Sequence, residues 1–275
     1  MIEIRNLTKH YGTKTALDNV SLSIPDNSIV GLVGKNGAGK STLLKILTGI
    51  MKADDGQCLF DGIEPGNASV ADDIGYLPEQ RGLYNTVSVQ EQLEYFASLR
   101  GLNSIKRKDA ISHWLNKFGI EDWKKKKISE LSKGMQQKIQ LITCLMHSPK
   151  YVFMDEPLSG IDPANFELFT DVIKEFQLEQ HATIILSTHN MKSIEKMCDY
   201  VAFIDSAKLK LYDTIPNIKN KFAKRNKYIV TLEANDDTNA EETLNSIRCT
   251  LKDYKIVSSG MEMPTMDEIF IEMTK

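Results

Sequence analysis

The sequence predicts an α/β core of the P-loop type, with an inserted helical subdomain and a small C-terminal α+β appendage. Three observations lead to this prediction. Short apolar runs of strand length recur through residues 1–215, and polar or glycine-rich turns follow them. Between about residues 88 and 145 the apolar residues recur at helical spacing. After residue 215 the chain turns basic and polar, and short strand and helix patterns follow over residues 216–275.

The first half of the core begins with strands. Apolar and polar residues alternate at residues 2–4 and again at 20–24, as they do in strands with one buried face. Residues 29–33 are apolar throughout, which indicates a strand covered on both faces of a sheet. A glycine-rich turn follows, and an amphipathic helix is expected from Lys40. Residues 56–77 are typical of strands again.

The inserted subdomain and the second half of the core come next. Ser88 and Glu91 have the spacing of a capping box, which predicts a helix start, and helical spacing continues to Phe118. Residues 151–154 and 183–187 are apolar strands that end in polar side chains. These strands complete the expected α/β core.

The appendage is predicted from shorter patterns. Residues 219–227 indicate a linker or a solvated helix. Strands are expected at 228–233 and 254–258, with a turn and a helix at 241–248 between them. A capping box at residues 265–268 predicts a last amphipathic helix.

Composition narrows the function classes. The 275 residues are 41% hydrophobic and carry a net charge of −3, so nothing points to a nucleic-acid partner. The cysteines lie far apart without metal-ligand spacing, which predicts reduced thiols in a cytosolic protein: Cys58, Cys144, Cys198 and Cys249. No signal peptide or membrane-spanning run is apparent, so any membrane crossing is expected to belong to another polypeptide.

A phosphate-binding loop follows the third predicted strand. Residues 34–41 read Gly-Lys-Asn-Gly-Ala-Gly-Lys-Ser and fit the pattern G-x-x-x-x-G-K-[ST]. The glycines let successive backbone N–H groups face an anion, and the following helix adds the positive end of its dipole. Lys40 would reach the β- and γ-phosphates, and Ser41 would ligate Mg²⁺. The predicted nucleotide-binding residues are Gly34, Lys35, Asn36, Gly37, Ala38, Gly39, Lys40, Ser41 and Thr42.

Two carboxylates end the strand at residues 151–154. In an open α/β sheet, ligands bind at the carboxyl ends of the strands. Asp155 is therefore predicted to hold Mg²⁺, and Glu156 to orient and deprotonate the attacking water. A surface Asp-Glu pair before the turn-forming Pro157 is the alternative for these two residues taken alone.

With these motifs, residues 1–215 resemble an ABC transporter nucleotide-binding subunit. Residues 131–137, Leu-Ser-Lys-Gly-Met-Gln-Gln, are similar to the family signature L-S-G-G-Q. The resemblance also includes a D-loop at residues 159–162 and a histidine after the third core strand. It implies that further residues bind nucleotide or act in catalysis: Tyr11 stacks on adenine, Ser132, Lys133 and Gly134 bind the γ-phosphate held by a second subunit, Asp162 belongs to the D-loop, and His189 contacts the γ-phosphate or the water.

The sequence departs from the family pattern at three positions. Lys133 replaces the first glycine of the signature, and Met135 replaces its glutamine. Glu79 stands where the family usually has the Q-loop glutamine, and Gln80 follows it. Glu79 could ligate Mg²⁺, and Gln80 could take its place by a slip of one residue. These departures resemble bacterial export subunits of the sodium-efflux and drug- or peptide-resistance branch.

The resemblance implies an ATPase at the cytoplasmic face of a bacterial membrane. Its expected partners are transmembrane permease subunits and a second copy of itself or a homologous ATPase, with ATP and Mg²⁺ as cofactors. Residues 81–84 would form part of a groove for a permease helix. A soluble ABC protein, an ATP-binding switch with little hydrolysis and a P-loop kinase are the alternatives. Neither the cargo nor the choice between homodimer and heterodimer follows from the sequence.

Overall fold

The computed structural model describes residues 1–80, 82–223, 228–233, 255–261 and 263–274. The chain divides into two compact units, Met1–Ile215 and Pro216–Lys275. The predicted helix at 241–248 and the turn before it lie outside the described residues, as do Arg81 and Cys249. No described helix combines the length and the apolarity that a membrane crossing requires.

The first unit contains a six-stranded sheet, whose strands are β3 (Ile29–Val33), β5 (Ile74–Leu77), β6 (Tyr151–Asp155), β7 (Thr183–Ser187), β8 (Tyr200–Asp205) and β9 (Lys208–Thr214). Their spatial order is β5-β6-β7-β3-β8-β9. Five of these strands run parallel, and β9 pairs antiparallel with β8 at the edge. Because β6, β7 and β3 are neighbours, the segments that follow their carboxyl ends meet at one edge of the sheet.

A three-stranded antiparallel sheet comes mainly from the N-terminal region. Its order is β2-β1-β4, with β1 at Ile2–Tyr11, β2 at Lys14–Ile24 and β4 at Asp55–Phe60. Apolar residues of both sheets and of helix α1 (Lys40–Leu47) share one buried cluster. This packing against α1 fixes the glycine-rich loop that precedes the helix.

Helices form the inserted subdomain, with α3 at Val89–Leu99, α4 at Ser104–Lys117 and α5 at Lys133–Leu145. The expected capping box begins α3. Ser88 donates its N–H to the Glu91 carboxylate at 2.8 Å, and Glu91 donates its N–H to the Ser88 hydroxyl at 3.2 Å. Short 3-10 turns at Glu121–Trp123 and Ile128–Glu130 join α4 to α5.

The remaining helices of the first unit connect strands. Helix α6 spans Pro163–Gln180, and α7 spans Met191–Met197. The short helix α2, Ala68–Ala71, interrupts the stretch that the sequence predicts as strand between residues 56 and 77. Asn67 explains this difference, because its side chain accepts the Ser69 N–H at 3.1 Å and so begins a helix.

The second unit contains a two-stranded antiparallel sheet of β10 (Tyr228–Glu233) and β11 (Lys255–Met261). Helix α8, Ile215–Phe222, includes the first part of the basic stretch that was expected to be a linker or a helix. The last helix, α9 at Met266–Met273, begins with the expected capping box.

Candidate functional site

The loop between β3 and α1 wraps around the side chain of Lys40. This residue begins α1 and is only 6% exposed. Its Nζ donates hydrogen bonds to the carbonyl oxygens of Gly34 at 2.7 Å and Lys35 at 3.2 Å. The ammonium group is therefore held inside the loop, where a phosphate would meet a fixed cation.

Gly39 allows this loop to form. Its φ is 115°, a conformation that a residue with a side chain rarely adopts. A Cβ at this position would lie 2.3 Å from the carbonyl oxygen of Ala16. Gly39 is the N-cap of α1 and has no side chain that could accept hydrogen bonds from the first N–H groups of the helix. The first N–H groups of the helix consequently remain available to an anion.

Charge around Lys40 is dominated by carboxylates. Burial lowers the pKa of Lys40, and the negative charges of Glu156, Asp155 and Glu79 oppose that shift. These three carboxylates and Lys40 line the same cavity. A phosphate therefore needs additional positive charge in order to bind beside them, which a divalent metal ion can supply.

Ser187 joins the two acidic residues that follow β6. Asp155 is 3% exposed and accepts a 2.5 Å hydrogen bond from the Ser187 hydroxyl. The same hydroxyl accepts the Glu156 N–H at 3.0 Å. Glu156 has a φ of 50°, which costs a non-glycine residue roughly 1–3 kcal/mol. Ser187 thereby orients one carboxylate and supports the strained backbone of the other.

His189 contacts Glu156 from the end of β7. Its Nδ1 lies 3.0 Å from each oxygen of the Glu156 carboxylate. The side chain of Glu156 is 12% exposed, whereas that of His189 is 66% exposed. The histidine ring thus covers the solvent side of a nearly buried glutamate.

These groups line one cavity of about 520 Å³. The cavity brings together the glycine-rich loop, the acidic pair Asp155 and Glu156, and three residues from other parts of the chain, Tyr11, Glu79 and His189. The predicted residues that line it are Tyr11, Asn36, Gly37, Gly39, Lys40, Ser41, Thr42, Glu79, Asp155, Glu156 and His189. Its volume and its mixture of cationic and acidic groups suit a nucleotide with a metal ion.

Other predicted residues lie outside the lining of this cavity. Gly34 and Lys35 contribute carbonyl oxygens to Lys40, and Ala38 is buried within the loop. Asp162 caps α6, because its carboxylate accepts the Asn165 N–H at 3.1 Å. Together with the signature residues Ser132, Lys133 and Gly134, these residues are absent from the described lining.

Tyr11 lies at the end of β1 and is 46% exposed. Its hydroxyl donates to the Met51 sulfur at 3.0 Å, which holds the ring at the edge of the cavity. At the Q-loop position the structure distinguishes the two candidates. Glu79 lines the cavity, whereas Gln80 is absent from its described lining.

The signature segment begins α5. Ser132 is exposed and caps the helix by accepting the Met135 N–H at 3.3 Å. Lys133 lines a second cavity of about 300 Å³, which shares Glu79, Glu156 and Ser159 with the first cavity. The segment therefore lies beside the nucleotide cavity of its own chain and not within it.

The sequence-based reasoning missed Lys14, Ala16 and Ser187, and it placed Ser159 in the D-loop without assigning it to the nucleotide site. Lys14 and Ala16 line the nucleotide cavity from β2, and Ser159 lines it from the D-loop. Lys14 Nζ lies 3.8 Å from the place where a Cβ on Gly37 would stand. Lys14 offered one signal in the sequence, because it is a cation three residues after Tyr11, which was predicted to stack on the adenine. Ser187 offered none beyond its place at a strand end.

Mg²⁺ fits the donor atoms of this cavity. Ser41, Asp155 and Glu79 supply oxygen atoms, which Mg²⁺ prefers. No cluster of three or more His, Cys, Asp or Glu side chains within the described residues could hold a metal by itself. This arrangement agrees with the usual binding of Mg²⁺ by one or two carboxylates together with substrate phosphates.

Comparison with known proteins identifies the family. A family model described as "ABC transporter" matches residues 17–159, more than half of the chain. The chain belongs to the ABC transporter family. It is an ATP-binding subunit and an ATPase of this family, and the resemblance predicted from its motifs is confirmed. The P-loop ABC-type core is confirmed as well.

Individual relatives agree with this assignment. The chain is 42% identical over 222 residues to the uncharacterized ABC transporter ATP-binding protein MJ1023 of Methanocaldococcus jannaschii, covering 81% of this chain and 80% of the relative. It is 33% identical to the lantibiotic transport ATP-binding protein SrtF of Streptococcus pyogenes, covering 81% and 96%. A solved ATP-binding subunit of an ABC transporter has the same fold, with a TM-score of 0.78, 24% identity and full coverage of both chains.

Proposed function

We propose that this ATPase powers export through separate membrane-spanning subunits and works as a dimer with two composite ATP sites. One observation carries the proposal. The predicted catalytic groups line a single cavity, whereas Ser132, Lys133 and Gly134 are absent from its described lining. A second copy, or a homologous subunit, placed head to tail would bring its own signature segment to the open side of that cavity.

The residues of the cavity divide into binding roles. Lys40 and the N–H groups of residues 34–42 bind the phosphates, and Tyr11 stacks on the adenine. Ser41, Asp155 and Glu79 would hold Mg²⁺, which supplies charge neutralisation for the phosphates. The exposed Ser132 hydroxyl and the N-terminus of α5 would receive the γ-phosphate held by the opposite subunit.

Hydrolysis follows from the Glu156–His189 pair. Glu156 accepts a proton from the water that attacks the γ-phosphate, because its nearly buried carboxylate faces the cavity. His189 contacts this carboxylate at 3.0 Å and holds it in place on the solvent side. The hydroxyl and carbonyl oxygens of Ser187 both accept the Glu156 N–H and so support the strained backbone of Glu156.

ATP binding is then coupled to mechanical work. ATP favours the closed dimer because both subunits contact the same γ-phosphate, and hydrolysis removes that shared contact. The closed and open states would present different surfaces to the membrane-spanning partners. The energy for transport comes from the difference in affinity between the two states.

An aromatic cluster of Tyr84, just before the inserted subdomain, and Tyr95 and Phe96 in α3 is the proposed contact with those partners. Tyr84 lies 5.7 Å from Tyr95 and 6.3 Å from Phe96 between ring centroids. Tyr84 is 52% exposed and Tyr95 is 47% exposed. Exposed tyrosines are typical of protein interfaces. Tyr84 is five residues from Glu79, so a short segment would connect the ATP site to the membrane subunit at the cytoplasmic face.

The direction of transport rests on the relatives and on the motif departures. SrtF is named for lantibiotic transport, and another relative, 32% identical, is the linearmycin resistance protein LnrL of Bacillus subtilis. The first name refers to transport of a lantibiotic and the second to resistance against linearmycin. Export therefore fits this chain better than import.

The variant Glu156→Gln tests the proposal. It removes the proton acceptor but keeps the shape of the side chain, so phosphate release should stop while ATP binding persists. The arrested protein should form a dimer when ATP and Mg²⁺ are added, as measured by size exclusion with light scattering. Lys40→Ala is the control, since it should lose both ATP binding and the dimer. Undiminished phosphate release by Glu156→Gln would contradict the proposal.

A further inference from the structure

We infer that Gln137 and Gln140 are positioning residues that set the separation between the carboxylates of Glu79 and Glu156. The inference rests on the proposed function, because it assigns those two carboxylates to the same ATP site. Both glutamines are buried, with exposures of 6% and 7%. They are three residues apart in α5 and therefore lie on one face of the helix.

Each glutamine holds the loop that carries one of the carboxylates. The Gln140 side-chain amide donates to the carbonyl oxygen of Pro78 at 2.8 Å. The Gln137 amide donates to the carbonyl oxygen of Pro157 at 2.5 Å. Pro78 immediately precedes Glu79, and Pro157 immediately follows Glu156. A single rigid helix thus fixes both glutamates through their neighbouring peptide groups.

The two prolines make these tethers important. A proline has no backbone N–H, so the carbonyl oxygen is the only backbone hydrogen-bonding group that either residue offers. Glu156 also has a left-handed φ, which persists only where neighbouring contacts enforce it. The Gln137 amide provides such a contact on the C-terminal side of Glu156, and Ser187 provides one at its N–H.

The surroundings distinguish these glutamines from ordinary core residues. Both line the 300 Å³ cavity together with Glu79, Glu156 and Lys133. Because the amides border open space, the two loops have room to relax if the tethers are removed. The cavity also reaches the N-terminal end of α5, where the signature segment begins. A shift of α5 would therefore move both glutamates together.

The test compares three single variants of the full chain. Gln137→Met and Gln140→Met remove the amide donor but keep an unbranched side chain of similar length. Gln177→Met is the matched control. Gln177 is also 7% exposed and does not line either cavity. Its amide donates to the backbone carbonyl oxygen of Asn27 at 3.0 Å and to the Asn27 side-chain oxygen at 2.5 Å. All three variants lose an amide-to-backbone-carbonyl hydrogen bond of a buried glutamine, and the control loses one bond more.

The measurements are phosphate release at varied ATP concentrations and the melting temperature. We expect kcat of Gln137→Met and Gln140→Met to fall by roughly tenfold to a hundredfold, as for small displacements of catalytic groups. KM for ATP should change by less than about twofold, because uniform binding of the nucleotide is unaffected. The melting temperature of Gln177→Met should fall by at least as much as that of the other two variants, while its kcat should equal that of the native chain.

Two results would overturn the inference. One is a native kcat in both Gln137→Met and Gln140→Met. The other is a loss of kcat in Gln177→Met equal to theirs, which would assign the effect to stability alone. Failure of the proposed function gives a different result, since Glu156→Gln would then retain phosphate release whatever the three glutamine variants show.

Discussion

Ser187 offers the sharpest test of how the acidic pair is organised. The residue is fully buried at the end of β7, and its hydroxyl makes two hydrogen bonds in the site. It donates to Asp155 at 2.5 Å and accepts the Glu156 N–H at 3.0 Å. Ser187→Ala removes both bonds but keeps the backbone contact from the Glu156 N–H to the Ser187 carbonyl oxygen at 3.1 Å. The change is confined to one oxygen atom.

The size of the effect follows from the burial of Asp155. A hydrogen bond to a charged group contributes roughly 1.5–3 kcal/mol, which corresponds to about tenfold to a hundredfold in an equilibrium constant. Residues that orient a metal ligand have a similar influence on metal affinity, about 10–100-fold. We therefore expect the Mg²⁺ concentration needed for half-maximal phosphate release to rise by about tenfold or more in Ser187→Ala.

The assay is phosphate release at saturating ATP over a range of Mg²⁺ concentrations. Ser28→Ala is the matched control, because Ser28 is 4% exposed and its hydroxyl donates to the Pro25 carbonyl oxygen at 2.7 Å outside the cavity lining. The melting temperature of the control should fall, but the Mg²⁺ concentration that it needs for half-maximal phosphate release should not change. A native Mg²⁺ dependence in Ser187→Ala would refute the assignment of Asp155 as a metal-holding carboxylate oriented by Ser187.

Three further predictions concern the loop, the acid stability and the partner surface. Gly39→Ala would place a Cβ 2.3 Å from the Ala16 carbonyl oxygen at a φ of 115°, so calorimetry should show ATP affinity reduced by at least about tenfold; native affinity would contradict the proposed loop geometry. Burial lowers the pKa of His147 from 6.5 to about 4. The unfolded chain therefore takes up this proton at a higher pH than the folded chain, so the free energy of unfolding should fall as the pH drops from 6.5 toward about 4. The free energy of unfolding lost in this way is at most about 3 kcal/mol. In thermal melts, the melting temperature of His147→Gln should depend less steeply on pH than that of the native chain; an equal slope would exclude His147 as the cause. Tyr95→Ala should weaken co-purification with the membrane-spanning subunits, since the ring is 47% exposed in the aromatic cluster; undiminished co-purification would remove this cluster from the interface.

The sequence alone determined the features that depend on a few consecutive residues. The glycine-rich loop, the helix that starts at Lys40 and the capping boxes of α3 and α9 all follow from local backbone geometry. The apolar strands before Gly34, Asp155 and His189 also had a predictable place, because ligand-binding residues gather at the carboxyl ends of parallel strands. Each motif consists of a few consecutive residues, so the family could be identified from the order and spacing of these motifs along the chain.

Only the tertiary structure decided which distant groups meet. Gln140 contacts Pro78 across 62 positions, and Ser187 contacts Asp155 across 32. Glu79 lines the cavity while its neighbour Gln80 does not, although either could have been chosen from the sequence. Spacing along the chain does not encode such contacts, because they depend on how helix α5 and strand β7 pack against the loops of the site. The physical reason is that side-chain hydrogen bonds reach only about 3 Å, so their partners are fixed by packing and not by sequence separation.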